Sequence, residues 1–110
     1  MIWVMNKEIA NIFNDMAGLL EIKGDSPFRI MGYRKAAGVL HRLPVDVEEI
    51  YREKKLKGLL EIKGIGENSA KRIEQYIKSA ARNGGKGSIR DFDQLLFESA
   101  LGLASSSMAL

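Results

Sequence analysis

The sequence predicts an all-α fold, a small helical bundle with a short amphipathic helix at its C-terminal end. Apolar residues recur at helical spacing in each long segment, and nothing alternates with period two over a useful length. Glycine and Ser-Pro signals fall where those segments should end or begin. The 110 residues, 45% of them apolar, suffice for one compact core.

Asn6 is placed as the cap of a first helix running to about Ile22, whose Ile9, Ile12, Phe13, Met16, Leu19 and Leu20 form one apolar face. Gly24 ends it. Ser26-Pro27 reads as cap plus first helical residue of a second helix through about Arg42, with Phe28, Ile30, Met31, Tyr33, Ala37, Val39 and Leu40 as its apolar residues and Pro44 as its stop. Asp46, with Glu49 behind it, caps a short helix through about Glu53. Leu56 to Ile62 reads as a short helical turn and Glu67 to Arg82 as a strong helix. Ser88 caps a last helix with Phe92, Leu95, Leu96, Ser99 and Leu103 on one face. The expected organisation is a bundle over 1–83, a Gly-rich linker over 84–87, and a C-terminal helix with a frayed tail over 88–110.

Composition removes several classes of function. Without cysteine there are no disulfides, thiolate nucleophiles or Cys-based zinc sites, and the single histidine, His41, excludes a His-rich metal cluster. No apolar run approaches the ~18 residues of a membrane helix, and Met1–Met5 is too short for a signal peptide, so a soluble cytoplasmic protein without membrane partners is expected. The net charge of +3 is unevenly spread: −1 over 1–50, +6 over 51–86 and −2 over 87–110. A concentrated basic segment suits a polyanion, since each neutralised phosphate releases counterions.

The hexapeptide Leu-Leu-Glu-Ile-Lys-Gly occurs at 19–24 and again at 59–64, but the flanks differ and both copies read as glycine-closed helix ends. The second copy opens Ile62-Lys63-Gly64-Ile65-Gly66-Glu67-Asn68-Ser69-Ala70-Lys71-Arg72-Ile73. Gly64 and Gly66 allow backbone angles that side chains forbid, giving a tight hairpin between two helices. Ile65 plugs the interhelical core, Ala70 permits close approach, and Ile73 and Ile77 continue the buried stripe. The N–H groups of Gly66 and of Glu67 to Ser69 are left at a helix N-terminus, where a phosphodiester fits. Lys63, Lys71, Arg72 and Lys78 supply charge nearby.

This pattern resembles the helix-hairpin-helix motif, a binder of the DNA backbone that does not read sequence. A wider resemblance spans residues 6–83. Asn6-Lys7-Glu8-Ile9-Ala10, Leu19 to Gly24, Pro27-Phe28-Arg29-Ile30 and Tyr33-Arg34-Lys35-Ala36-Ala37 are similar to the N-terminal domain of family X DNA polymerases, DNA polymerase beta included. The resemblance implies binding of gapped or single-stranded DNA near a 5′-phosphate, in repair or replication, beside the nucleoid. Tyr33 and Arg34 match a pair beside the family's DNA pocket, although Tyr33 suits the core equally well. Arg29 and Lys35 are further phosphate contacts. The carbonyls of Leu60, Ile62 and Ile65 match positions where the family holds a monovalent cation, Na+ or K+; no other cofactor is expected.

Family members of animal origin also remove a 5′-deoxyribose phosphate through a lysine Schiff base. The matching position here is Arg72, whose guanidinium stays charged and is a poor nucleophile, so lyase activity is not expected at that position. The enzymatic alternative needs a displaced lysine: Lys71, Lys35 or Lys63. Polymerase activity is not expected either, because the Asp91/Asp93 pair opens a helix rather than lying on a metal-binding sheet. The amphipathic segment 88–103 favours a standalone relative over a polymerase fragment. Its apolar face raises another alternative, pairing with a polymerase or with a second copy.

Overall fold

A computed structural model describes residues 3–101. Its helices are α1 (Val4–Lys23), α2 (Pro27–Arg42), α3 (Val47–Leu60), α4 (Glu67–Arg82) and α5 (Arg90–Ala100), and among the described residues there is no strand. The all-α bundle anticipated from apolar spacing is the one formed.

α1 and α2 pack as an antiparallel pair. Gly24 closes α1 in the left-handed conformation at φ 83°. Ser26 then accepts the N–H of Phe28 through its hydroxyl, with Pro27 at the first helical position. Ile9, Phe13, Met16 and Leu20 of α1 are buried against Ile30, Tyr33, Ala37 and Leu40 of α2. The rings of Phe13 and Tyr33 meet at 5.3 Å between centroids, tilted by 49°. Phe28 and Met31 depart from the expected apolar face of α2: both point to solvent, Phe28 87% exposed.

Asn6 is no cap. The helix begins three residues earlier, with Trp3 at the cap position, and Asn6 lies fully buried inside α1. Its Nδ2 donates to the Val45 carbonyl at 2.8 Å and its Oδ1 accepts the Val47 N–H at 2.9 Å. One carboxamide thus satisfies both a carbonyl and an N–H of the α2–α3 connection. Trp3 adds an indole N–H to the Pro44 carbonyl at 3.0 Å. Asp46 caps α3 through the Glu48 N–H, as anticipated.

The two short helical pieces expected over 46–62 run together as α3 but meet at a break. Lys55 has φ 58° and ψ −149°, so Val47–Lys54 and Leu56–Leu60 point in different directions. Leu59 and Ile65 then reach the core, and α4 lays Ala70, Ile73, Tyr76, Ile77 and Ala80 along it. Two phenols tie α4 to its neighbours: Tyr51 of α3 donates to Glu74 at 2.7 Å, and Tyr76 donates to Glu8 of α1.

After Asn83 the chain turns back along α4. Gly87 is pressed so close to Tyr76 that a Cβ there would lie 2.5 Å from the Tyr76 carbonyl oxygen. Ser88 does not cap α5, which begins after Ile89; its N–H donates to the Ser79 hydroxyl at 2.8 Å instead. Ile89 and Leu95 fix α5 against the bundle, while Leu96, Phe97 and Leu101 face solvent. Leu103 and the tail expected over 104–110 lie outside the described residues.

Candidate nucleic-acid interface

The hairpin between α3 and α4 is built on one glycine rather than two. Gly64 has φ 94°, and a Cβ there would sit 2.6 Å from Cγ2 of Val39, so both conformation and space require glycine. Gly66 differs from expectation. Its φ of −86° and ψ of 178° are extended backbone open to any residue, and a Cβ would meet nothing within 4 Å. The space a side chain would enter belongs to a cleft.

That cleft, of about 540 Å³, runs between the N-terminal half of α2 and the hairpin. Gly66 precedes α4 without a capping side chain, so the N–H groups of Glu67, Asn68 and Ser69 open the helix with no side-chain cap from Gly66. The positive end of the α4 dipole faces the same space. The Tyr33 ring lies in the core, and its hydroxyl accepts from Nδ2 of Asn68 at 3.2 Å at the cleft wall. Ile65 is buried as the interhelical plug, and its N–H donates to the Ile62 carbonyl at 3.0 Å. Of the three carbonyls matched to a cation site, that of Ile62 therefore already accepts one hydrogen bond and keeps one lone pair.

The cations divide sharply. Arg29 and Lys35 line the cleft. Arg29 also pairs with Asp25 at 2.9 Å, and that contact, after the Ser26 N–H, holds the Asp25 carboxyl below its ordinary range. Lys63 lies beyond Gly64 in a neighbouring groove. Arg34 pairs with Glu21 at 3.0 Å and Lys78 with Glu74 at 3.9 Å, while Lys71 pairs at 3.4 Å with Glu67, a carboxylate that itself lines the cleft. Arg72 points at α5, where it meets Asp91 at 2.9 Å and leaves its Nε buried without a hydrogen-bond partner. The sequence pattern groups all of these at one DNA site; the structure brings only Arg29, Tyr33, Lys35 and residues 64–69 to one cleft. It adds Phe28 and Gly32, which spacing had assigned to the apolar face of a helix or passed over. Phe28 had a signal of its own, an aromatic one residue after Ser-Pro, where the first turn of a helix seldom reaches the core.

The family model of the helix-hairpin-helix domain matches residues 4–81, covering both helices of the hairpin and the pair that precedes it. The chain belongs to this helix-hairpin-helix family. It is also 30% identical over 71 residues to the DNA polymerase/3′-5′ exonuclease PolX of Bacillus subtilis (strain 168). That match takes in 64% of this chain and 11% of PolX, so the chain spans a small fraction of the relative's length. The helix-hairpin-helix domain here is thus of the kind carried by X-family polymerases.

Proposed function

We propose that this helix-hairpin-helix domain binds DNA without reading sequence, seating one backbone phosphate at the N-terminus of α4. The observation that carries the reading is the unfilled space at Gly66, where uncapped N–H groups, a helix dipole, Arg29 and Lys35 converge. An anion there gains hydrogen bonds that water alone supplies in its absence. Phe28 stands at the rim with its ring in solvent, placed to stack on an unpaired base or a terminal sugar. That favours gapped or single-stranded DNA, and a terminal 5′-phosphate suits the cleft because it carries more charge than an internal diester. The likeness to a DNA polymerase supports a polymerase setting, and the reading extends to repair and a place beside the nucleoid.

Fluorescence anisotropy on gapped, single-stranded and blunt DNA, with and without the 5′-phosphate, tests the reading. With three or four phosphates engaged, log affinity against log salt should fall with a slope of about −2 to −3, and Gly66→Val should abolish binding. A salt-independent titration, or a Gly66→Val protein that binds normally, refutes it.

The lyase alternative narrows to one residue. Of Lys35, Lys63 and Lys71, Lys35 alone lines the cleft. Borohydride trapping on abasic DNA, absent in Lys35→Ala, would support it; no adduct with the unaltered protein rejects it. Self-association through Leu96, Phe97 and Leu101 of α5 is the other alternative, and light scattering on Phe97→Glu against the parent decides it.

A further inference from the structure

Beyond Gly64, on the far side of the hairpin from the cleft, lies a second groove of about 420 Å³. Its floor is apolar, made by Val39, Leu43, Pro44 and Ile62. Lys35, Arg42 and Lys63 line it, and no carboxylate does. Among the described residues none of these three cations is in an ion pair, whereas Lys23, Arg29, Arg34, Lys54, Lys71, Arg72 and Lys78 each have one. Like charges gathered around an apolar surface repel one another, and a polyanion relieves that repulsion.

Groove and cleft adjoin. Lys35 and Gly64 line both, and Gly64 forms the saddle between them with backbone alone. The Lys35 stem crosses that saddle, its Cε 3.7 Å from where a Gly64 Cβ would stand. A side chain at this point would block the passage as well as strain the turn. Arg42 folds back along α2 beside Gly38 and lines the groove.

We propose that this groove is a second subsite, taking the next nucleotide of an unpaired DNA strand whose first phosphate sits at the N-terminus of α4. The apolar floor receives the sugar or base face, and Lys35, Arg42 and Lys63 receive the flanking phosphates. An unpaired strand is specified because a base whose face rests on that floor cannot also be stacked within a duplex. The inference rests on the cleft being a phosphate site and adds Arg42, which like Lys35 comes from α2 rather than from the hairpin.

The test compares the parent protein with Arg42→Gln/Lys63→Gln, both exposed positions, on two 5′-phosphorylated thymidylates. One is the mononucleotide, whose phosphate and single nucleoside fit the cleft alone, and the other has about eight nucleotides, a length single-strand sites commonly cover. NMR titration should find unchanged affinity of the double variant for the mononucleotide and roughly tenfold weaker binding of the longer strand. The salt slope on the longer strand should become shallower by about 1.4, the contribution of two phosphates in single-stranded DNA. Unchanged affinity and slope on the longer strand overturn the subsite and leave the cleft reading standing. Equal loss on both ligands also overturns it, because the groove would then not be separate. Failure of the parent protein to bind either ligand overturns the cleft reading and the subsite together.

Discussion

At the scale of single residues, the two glycines of the hairpin separate folding from binding. Gly64 is held at positive φ against Val39, so Gly64→Ala should destabilise the domain by roughly 1–3 kcal/mol, seen as a lower urea midpoint. Gly66 has neither constraint, and a serine there gains a hydroxyl able to cap α4. Gly66→Ser is therefore expected to raise stability by a few tenths of a kcal/mol, about what separates serine from glycine as a cap. Its hydroxyl would occupy the same N–H groups that a phosphate needs, so DNA affinity should drop as stability rises. A domain whose cleft is merely a gap in packing would show no such opposition. Arg29 offers a second test. Its exposed ion pair with Asp25 competes with phosphate, and Asp25→Asn should strengthen DNA binding about twofold to fivefold, within the range of a surface ion pair. Anisotropy at fixed low salt measures it.

Helices and their connections carry the next level. Lys55 occupies a conformation that glycine alone adopts readily, and the piece of α3 beyond it folds back so that Gly58 is pressed against Ile50 and Lys54. Lys55→Gly should then stabilise the domain by about 1 kcal/mol, raising the thermal midpoint, unless the contact of the Lys55 ammonium with the Tyr51 ring, 5.5 Å away, offsets it. α1, α2 and α4 were legible because their apolar spacing, the Ser26-Pro27 start and the Gly24 stop all act within one turn of chain. The roles of Asn6 and Ser88 were not. Each looks like a cap from its neighbours alone, yet the partners lie at Val45, Val47 and Ser79, which no local pattern reveals. Arg72 was misread for a similar reason, since Asp91 arrives from a helix beyond the glycine turn.

For the whole molecule, charge counted along the chain proved a poor map of charge in space. The basic stretch 51–86 loses Lys54, Lys71, Arg72 and Lys78 to carboxylates, while Lys35 and Arg42 come from a stretch whose sum is negative. The bundle as a unit also has an alkaline limit. Burial, followed by the carboxylates they bind, pushes the phenols of Tyr51 and Tyr76 from 10.0 up to about 12. The fold thus favours their neutral form. That contribution to stability is complete below pH 10 and is lost as pH rises through about 12. Urea midpoints should fall across this window, and Tyr51→Phe/Tyr76→Phe should flatten the fall while lowering stability near neutrality.

The buried amide of Asn6 bears on uniqueness. Ile9, Phe13, Met16 and Leu20 repeat at nearly every turn of the 20-residue α1. Sliding that helix by one turn along α2 would exchange one oily side chain for another, and apolar contact alone discriminates weakly between the two registers. The carboxamide has one place where a carbonyl and an N–H both meet it, and one turn away it would be desolvated with neither. A fully buried polar side chain near the start of α1 therefore acts as an index mark for the bundle. Asn6→Leu is expected to retain helical content by far-ultraviolet circular dichroism yet double many amide resonances, as two registers become nearly equal in energy.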